Sequence, residues 1–249
     1  MHVHLPKPLH GWREFLGEVG IIVVGVLIAL GGEQTAEYFH QRAEPRDAED
    51  AMVAELRDDD LPQAFTRAAI YHCYADQLDG IESAVLSGDR EKVLTLAKAY
   101  HPIIRTWDDL AWQAALASQV LVHSGSERTL KWSTACVMIP HLAKTNDNET
   151  DELSQLGANF SGRGPLSGAQ QDRLLQVISM LQRSNIHMTG ESVVFMRNLH
   201  DEGLELTASQ KAKLLGEAWH VYGQCVRDTR PDLLNMKGQV GTSAKAAVN

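Results

Sequence analysis

The densest run of side chains able to do chemistry in this chain is Tyr100, His101, Arg105, Trp107, Asp108, Asp109 and Trp112. Such a set can build a ligand pocket, with Arg105 holding an anion through its guanidinium fork, His101 and Asp108 beside it, and Trp107 and Trp112 supplying apolar walls. The same residues also fit a helix junction, where a proline turn at Pro102 is capped and the two indoles pack inward.

Other reactive types are sparse. The chain has 3 cysteines, too few for a disulfide-framework mini-protein and without the paired spacing of a zinc ribbon. If the chain lies outside the cytoplasm, Cys73 on an early helix and Cys225 on the last apolar stripe can be joined by bundle packing, leaving Cys136 buried and free. His72, Cys73 and Asp76 share a helical turn, but His220 and Cys225 do not share a helix face, so no metal site is expected. His2, His4 and His10 read as a polar tail. There is no G-x-S-x-G elbow and no H-E-x-x-H, and the glycines around Pro165 follow no strand and do not match the dinucleotide fingerprint. The sequence therefore predicts neither a catalytic site nor a cofactor. With 23 basic against 32 acidic side chains, the formal net charge of −9 supplies no field to attract nucleic acid.

The most informative stretch is EFLGEVGIIVVGVLIALGGEQ, in which nothing between Val19 and Gly32 is charged or strongly polar. That run is short for a membrane span, which needs roughly 17–25 predominantly apolar residues, but Phe15, Leu16 and Gly17 extend it beyond Glu18. Residues 15–32 are read as a transmembrane helix, after a cytoplasmic tail over 1–14 and before a juxtamembrane helical extension over 33–45. Glu18 then lies about one turn inside an interface, where it can pair with a partner subunit, move a proton, or simply snorkel to water. Gly25 and Ala29 form a small-x-x-x-small pair that would admit a close partner helix, so self-association or another membrane protein is expected alongside the lipid bilayer. Two alternatives stay open. One is a cleavable signal peptide, with Lys7 and Arg13 before an apolar run and Ala29-Leu30-Gly31 as a loose cleavage site, although Glu14 and Glu18 fall where basic residues belong. The other is a buried core helix, which the nearly continuous Ile, Val and Leu on every face disfavours. Lys7 and Arg13 before the segment, against Arg42 and Arg46 after it, weakly favour a cytoplasmic N-terminus.

At this segment the sequence resembles a group of uncharacterised bacterial single-pass inner-membrane proteins, a domain-of-unknown-function family. Its signature reads approximately G-E-x-x-x-x-V-V-G-V-L-I-A-L. Gly17, Glu18, Val23, Val24, Gly25, Val26, Leu27, Ile28, Ala29 and Leu30 stand at the matching places, and the flanks PLHGWREF and GGEQTAEYF are similar too. The resemblance covers about twenty residues; it implies an inner-membrane location and carries no activity with it.

The remainder shows helix signals and no strand signals. Pro45 is expected to interrupt the helix leaving the membrane, and a second helix is predicted from Arg46 to about Leu86, kinked or broken near Asp58, Asp59, Asp60 and Pro62. Ser87 precedes a helical run ending at His101-Pro102. Thr106 with Asp109, Ser124 with Glu127, Ser167 with Gln170 and Thr207 with Gln210 have capping-box spacing at four further helix starts. Leu174, Ile178, Leu181, Asn185, Met188, Ser192, Phe195 and Leu199 alternate by four and three and predict the buried stripe of a long helix. Leu215, Ala218, Trp219, Tyr222, Cys225 and Val226 predict another. Asn159 to Gly168 reads as a loop, and 228–249 as a mobile tail.

These signals predict an all-α protein, one N-terminal transmembrane helix followed by a helical bundle over 46–227, placed in the periplasm of a bacterium. The expected role is that of a tethered interaction or accessory protein. A tethered ligand-binding or sensory domain, with a pocket near Arg105 and Trp107, is the alternative.

Overall fold

The computed structural model describes residues 11–123, 126–159 and 164–228, among which there is no β-strand. The His2, His4 and His10 group, Lys7, Ser124 and the tail beyond 228 lie outside these residues.

The first helix, α1 (Trp12–Glu55), is 44 residues long. Its stretch Phe15–Thr35 has a mean hydropathy of 2.3 and is long and apolar enough to cross a membrane. At 1.5 Å per residue that stretch spans about 31 Å, close to the hydrocarbon thickness of a bilayer. None of it is buried within the protein, which removes the reading of it as a core helix. The expected break at Pro45 is absent: α1 runs through this residue, which is itself buried. A mid-helix proline forfeits one backbone hydrogen bond at a cost of about 3 kcal/mol, and here continuity prevails over that penalty.

After Glu55 the backbone widens into a single π turn, Leu56–Asp60, then resumes as α2 (Leu61–Ala69). Pro62, in the first turn of α2, has no amide to return to the preceding turn, so a local change of register there relieves the clash its ring would make. The long helix predicted over 46–86 is thus three pieces, the last being α3 (Tyr71–Leu86), which starts after a break at Ile70. Next come α4 (Arg90–Ala99), an extended segment, α5 (Leu110–Ala117), a 3-10 turn over Val120–His123, α6 (Ser126–Cys136) and α7 (Ile139–Ala158). The chain closes with α8 (Gly168–Asp201), α9 (Ala208–Tyr222) and a 3-10 turn over Gly223–Asp228.

The helix starts divide by mechanism. Ser167 and Thr207 each accept from the amide three residues on, while Gln170 and Gln210 return the bond, so both predicted capping boxes are formed. Elsewhere the expected cap is replaced. Asp89, not Ser87, caps α4, its Oδ1 accepting from the Lys92 amide at 3.0 Å, and Ser87 closes α3 instead. Asp109 makes no side-chain cap at α5; Glu55, at the far end of α1, accepts from the Leu110 amide at 2.9 Å and the Ala111 amide at 2.8 Å. At the end of α8, Gly203 adopts φ 82 and the Leu204 amide returns to the Leu199 carbonyl at 2.8 Å, a left-handed stop that favours glycine.

Helix α8 is the spine, lying against α7, α3 and α2. All eight residues of its predicted stripe are buried. Its first half feeds one apolar core, with Leu174, Ile178 and Leu181 against Ile70, Tyr74, Leu78 and Ile81. Its second half feeds another, with Met188, Phe195 and Leu199 among Met52, Leu56, Trp107, Trp112 and Trp132. The stripe predicted on the last helix is only partly inward, since Ala218 and Val226 are buried but Trp219 is 40% exposed.

Candidate functional site

Two polar centres lie inside this frame, and they differ in whether their charges are paired. The first is at the junction of the two cores. Arg67 Nη2 donates to Glu149 Oε1 at 2.6 Å, with both side chains almost fully buried. The Arg67 guanidinium also lies 4.5 Å over the Tyr74 ring, a cation–π contact. Burial pushes the Glu149 carboxyl up, and the neighbouring Arg67 pulls it back down. Beside the pair, the Ile103 amide donates to the Tyr74 hydroxyl, Tyr74 donates to Tyr222 at 3.0 Å, and Tyr222 donates to the His101 carbonyl at 3.1 Å. Cys73, beside Tyr74, and Cys225, in the turn that follows Tyr222, form a disulfide with Cα atoms 5.0 Å apart. Relay and disulfide together pin the segment after α4 and the end of α9 onto α3.

The second centre is an open cleft of about 540 Å³, lined by Ala54, Glu55, Asp58, Asp59, Asp60, Gln63, Thr106, Asp108 and Leu110. Its walls come from the last turn of α1, the π turn, the start of α2 and the segment leading into α5. Asp58, Asp59 and Asp108 are exposed, but Asp60 is only 1% exposed and its Oδ2 has no hydrogen-bond partner. Burial, then the charges of Glu55, Asp59, Asp108 and Asp109, push its carboxyl up to about 8. Gln63 Oε1 is a second buried acceptor without a partner on this wall.

The residues singled out from the sequence are distributed over these features rather than gathered at one. Arg105 and Trp107 share a pocket with Gln63, Arg67, Ile103 and Met188, but its volume of about 10 Å³ is the room of about one water molecule. Asp108 faces the acidic cleft instead. The His101 side chain is exposed, and what this residue contributes is its carbonyl to the tyrosine relay. Trp107 meets Phe195 edge to face at 6.4 Å, and Trp112 is buried in the same core, so both indoles pack inward. Glu18, Gly25 and Ala29 lie on the exposed apolar part of α1, and a Cβ added at Gly25 would meet nothing within 4 Å. Cys136 is a free, buried thiol pushed up to about 12, first by burial and then by Asp109, Asp60 and Glu55, which leaves it unreactive. No group of His, Cys, Asp and Glu able to hold a metal ion occurs among the described residues.

Sequence reasoning missed the acidic cleft, although a signal was present. Met52, Leu56, Asp60, Ala64 and Ala68 recur every fourth residue, and all five are buried. A carboxylate in the middle of an apolar column is the mark of a group held where solvation alone would not put it.

No family model, no curated protein and no solved structure matches the chain.

Proposed function

We propose that this is a membrane-tethered interaction protein of the bacterial inner membrane, anchored by α1 and presenting its bundle on the periplasmic side. The observation that carries the reading is the continuity of α1 from the apolar stretch to Glu55. Ile21, Ile22, Leu27 and Ile28 are each at least 62% exposed, an apolar surface that in water would demand a cover and in a bilayer needs none. Beyond Thr35 the same helix enters the bundle, where Met52 and Leu56 are buried, Trp132 Nε1 donates to Glu49 Oε1 at 2.9 Å, and Glu55 caps α5. The Cys73–Cys225 disulfide supports an oxidising compartment for the bundle. Glu18, Gly25 and Ala29 are the positions at which a membrane partner or second copy would meet α1.

A second reading, a tethered ligand-binding domain, is favoured by one observation: the last turn of the anchoring helix forms a wall of the acidic cleft. In both readings the chain acts by binding.

The test of the anchor is the intact mass of natively expressed protein from membrane and soluble fractions, with protease added to spheroplasts. The expected result is the full-length mass in the membrane and digestion of the bundle from outside. A soluble species beginning near residue 32 would replace the anchor with a cleaved signal peptide, and a membrane-bound bundle that resists external protease would reverse the orientation.

A further inference from the structure

The acidic cleft has the attributes of a site for a specific class of ligand. Five carboxylates line it, Glu55, Asp58, Asp59, Asp60 and Asp108, and the structure gives them unequal tasks. Glu55 is engaged with two backbone amides and holds the wall of the cleft together. Asp58, Asp59 and Asp108 stand at the exposed rim. Asp60 is the almost fully buried member of the lining, with Oδ2 unpartnered, and Gln63, also in the lining, has a buried Oε1 with nothing to accept from. An unpartnered buried carboxyl and an unpartnered amide oxygen among the lining of an acidic cleft favour a ligand that brings N–H donors and positive charge, which draws the proton off the carboxyl.

Size and arrangement narrow the class. A volume of about 540 Å³ suits a small organic molecule and far exceeds a bare ion. The carboxylates come from the end of α1, the π turn and the segment before α5, and they do not converge as metal ligands do. Ala54 and Leu110 add apolar lining among these residues, which suits a molecule that carries methylene groups as well as ammonium groups.

We propose that this cleft binds a linear oligoamine, an organic cation with two or more ammonium groups, one donating to Asp60 and Gln63 at the floor and the others neutralised by Asp58, Asp59 and Asp108 at the rim. The proposal rests on the reading of the cleft as a ligand site and names its chemistry. An ammonium at the floor favours the Asp60 carboxylate over its acid, so binding near neutral pH expels a proton. The groups facing Asp60 are Glu55 from α1, Asp59 on its own turn, Asp108 and Asp109 before α5, and the Cys136 thiol on α6. The charged groups among them are all acidic and so act in the same direction.

The experiment is calorimetric titration of the full-length protein in detergent with spermidine, with calcium ion, and with trilysine, in two buffers of different ionisation enthalpy. Saturable spermidine binding with proton release at pH 7 is expected. Asp60→Asn should weaken it about tenfold or more, as loss of a charged hydrogen-bond acceptor does, and Asp108→Asn should weaken it without touching the floor. Asp172→Asn, on the exposed start of α8, should leave it unchanged. Spermidine affinity equal in wild type and both cleft variants overturns the proposal. Calcium or trilysine binding that depends on Asp60, with no spermidine binding, overturns the linear oligoamine in favour of a metal ion or a basic peptide and leaves the ligand site standing. No Asp60-dependent binding of any of the three removes the site as well.

Discussion

Breaking the Cys73–Cys225 bond is expected to have a large effect on the bundle, because of where the two residues stand in the chain. They are 152 positions apart, and closing a loop of that length removes about 5 kcal/mol of chain entropy from the unfolded state in the loop-closure treatment. Native disulfides in small domains return about 2–5 kcal/mol when removed. The local surroundings favour the upper part of that range. Cys73 is fully buried in the α3 core, Val226 next to Cys225 is buried with it, and the Tyr74–Tyr222 hydrogen bond at 3.0 Å sits beside the bridge. Release of Cys225 therefore loosens both the last 3-10 turn and the tyrosine relay that holds the His101 segment. A loss of about 3–5 kcal/mol corresponds to about 10 °C in Tm for a bundle of this size. The assay is far-UV circular dichroism of full-length protein in detergent, comparing oxidised wild type, reduced wild type and Cys225→Ser. The last two should melt together, and reductant should not shift Cys225→Ser further, since Cys136 has no partner. A shift below about 2 °C, or three free thiols counted by mass in protein purified without reductant, refutes the reasoning and takes with it one support for a periplasmic bundle.

Two further outcomes follow from the polar centres. Arg67→Met should destabilise by about 3–5 kcal/mol, because it leaves Glu149 buried without its cation, and Arg67→Met/Glu149→Leu should recover much of that in chemical denaturation. Asp60 binds its proton more tightly folded than unfolded, so folding is favoured below about pH 4 and this contribution is lost as pH rises through about 8. Thermal melts from pH 5 to 9 should show wild type losing more stability than Asp60→Asn, with a residual slope in the variant from Glu149 and Glu152, whose carboxyls are also raised by burial.

What the sequence made legible was local and periodic. The eight-residue stripe of α8 needed only the 3.6-residue repeat, and the boxes at Ser167 and Thr207 needed only a side chain three residues from the amide it serves. What it hid was non-local. The α5 cap comes from Glu55, 55 positions before Leu110, so Thr106 and Asp109 had the right spacing and do not form the predicted cap. The partner of Arg67 lies 82 positions away. Pro45 was read by its intrinsic preference to end a helix, whereas α1 runs on through it. Asp58-Asp59-Asp60 read only as the place of a kink or break, because nothing in three consecutive acids tells which one a π turn will carry inward.

The two buried charge centres separate what holds this fold together from what the fold holds ready. A carboxylate moved out of water recovers its lost hydration only through partners. Glu149 has one, an arginine at 2.6 Å that is itself stacked on Tyr74, and the pair lies between two apolar cores on helices that must be fixed relative to each other. Asp60 is buried to the same degree, yet where Glu149 has a cation it has four acidic neighbours. For stability alone, an apolar residue in line with Leu56 and Ala64 would serve better at that position. A carboxylate kept there, at the floor of a cleft wide enough for a small molecule, is a local conflict with folding of the kind that sequences retain where a binding partner completes the site.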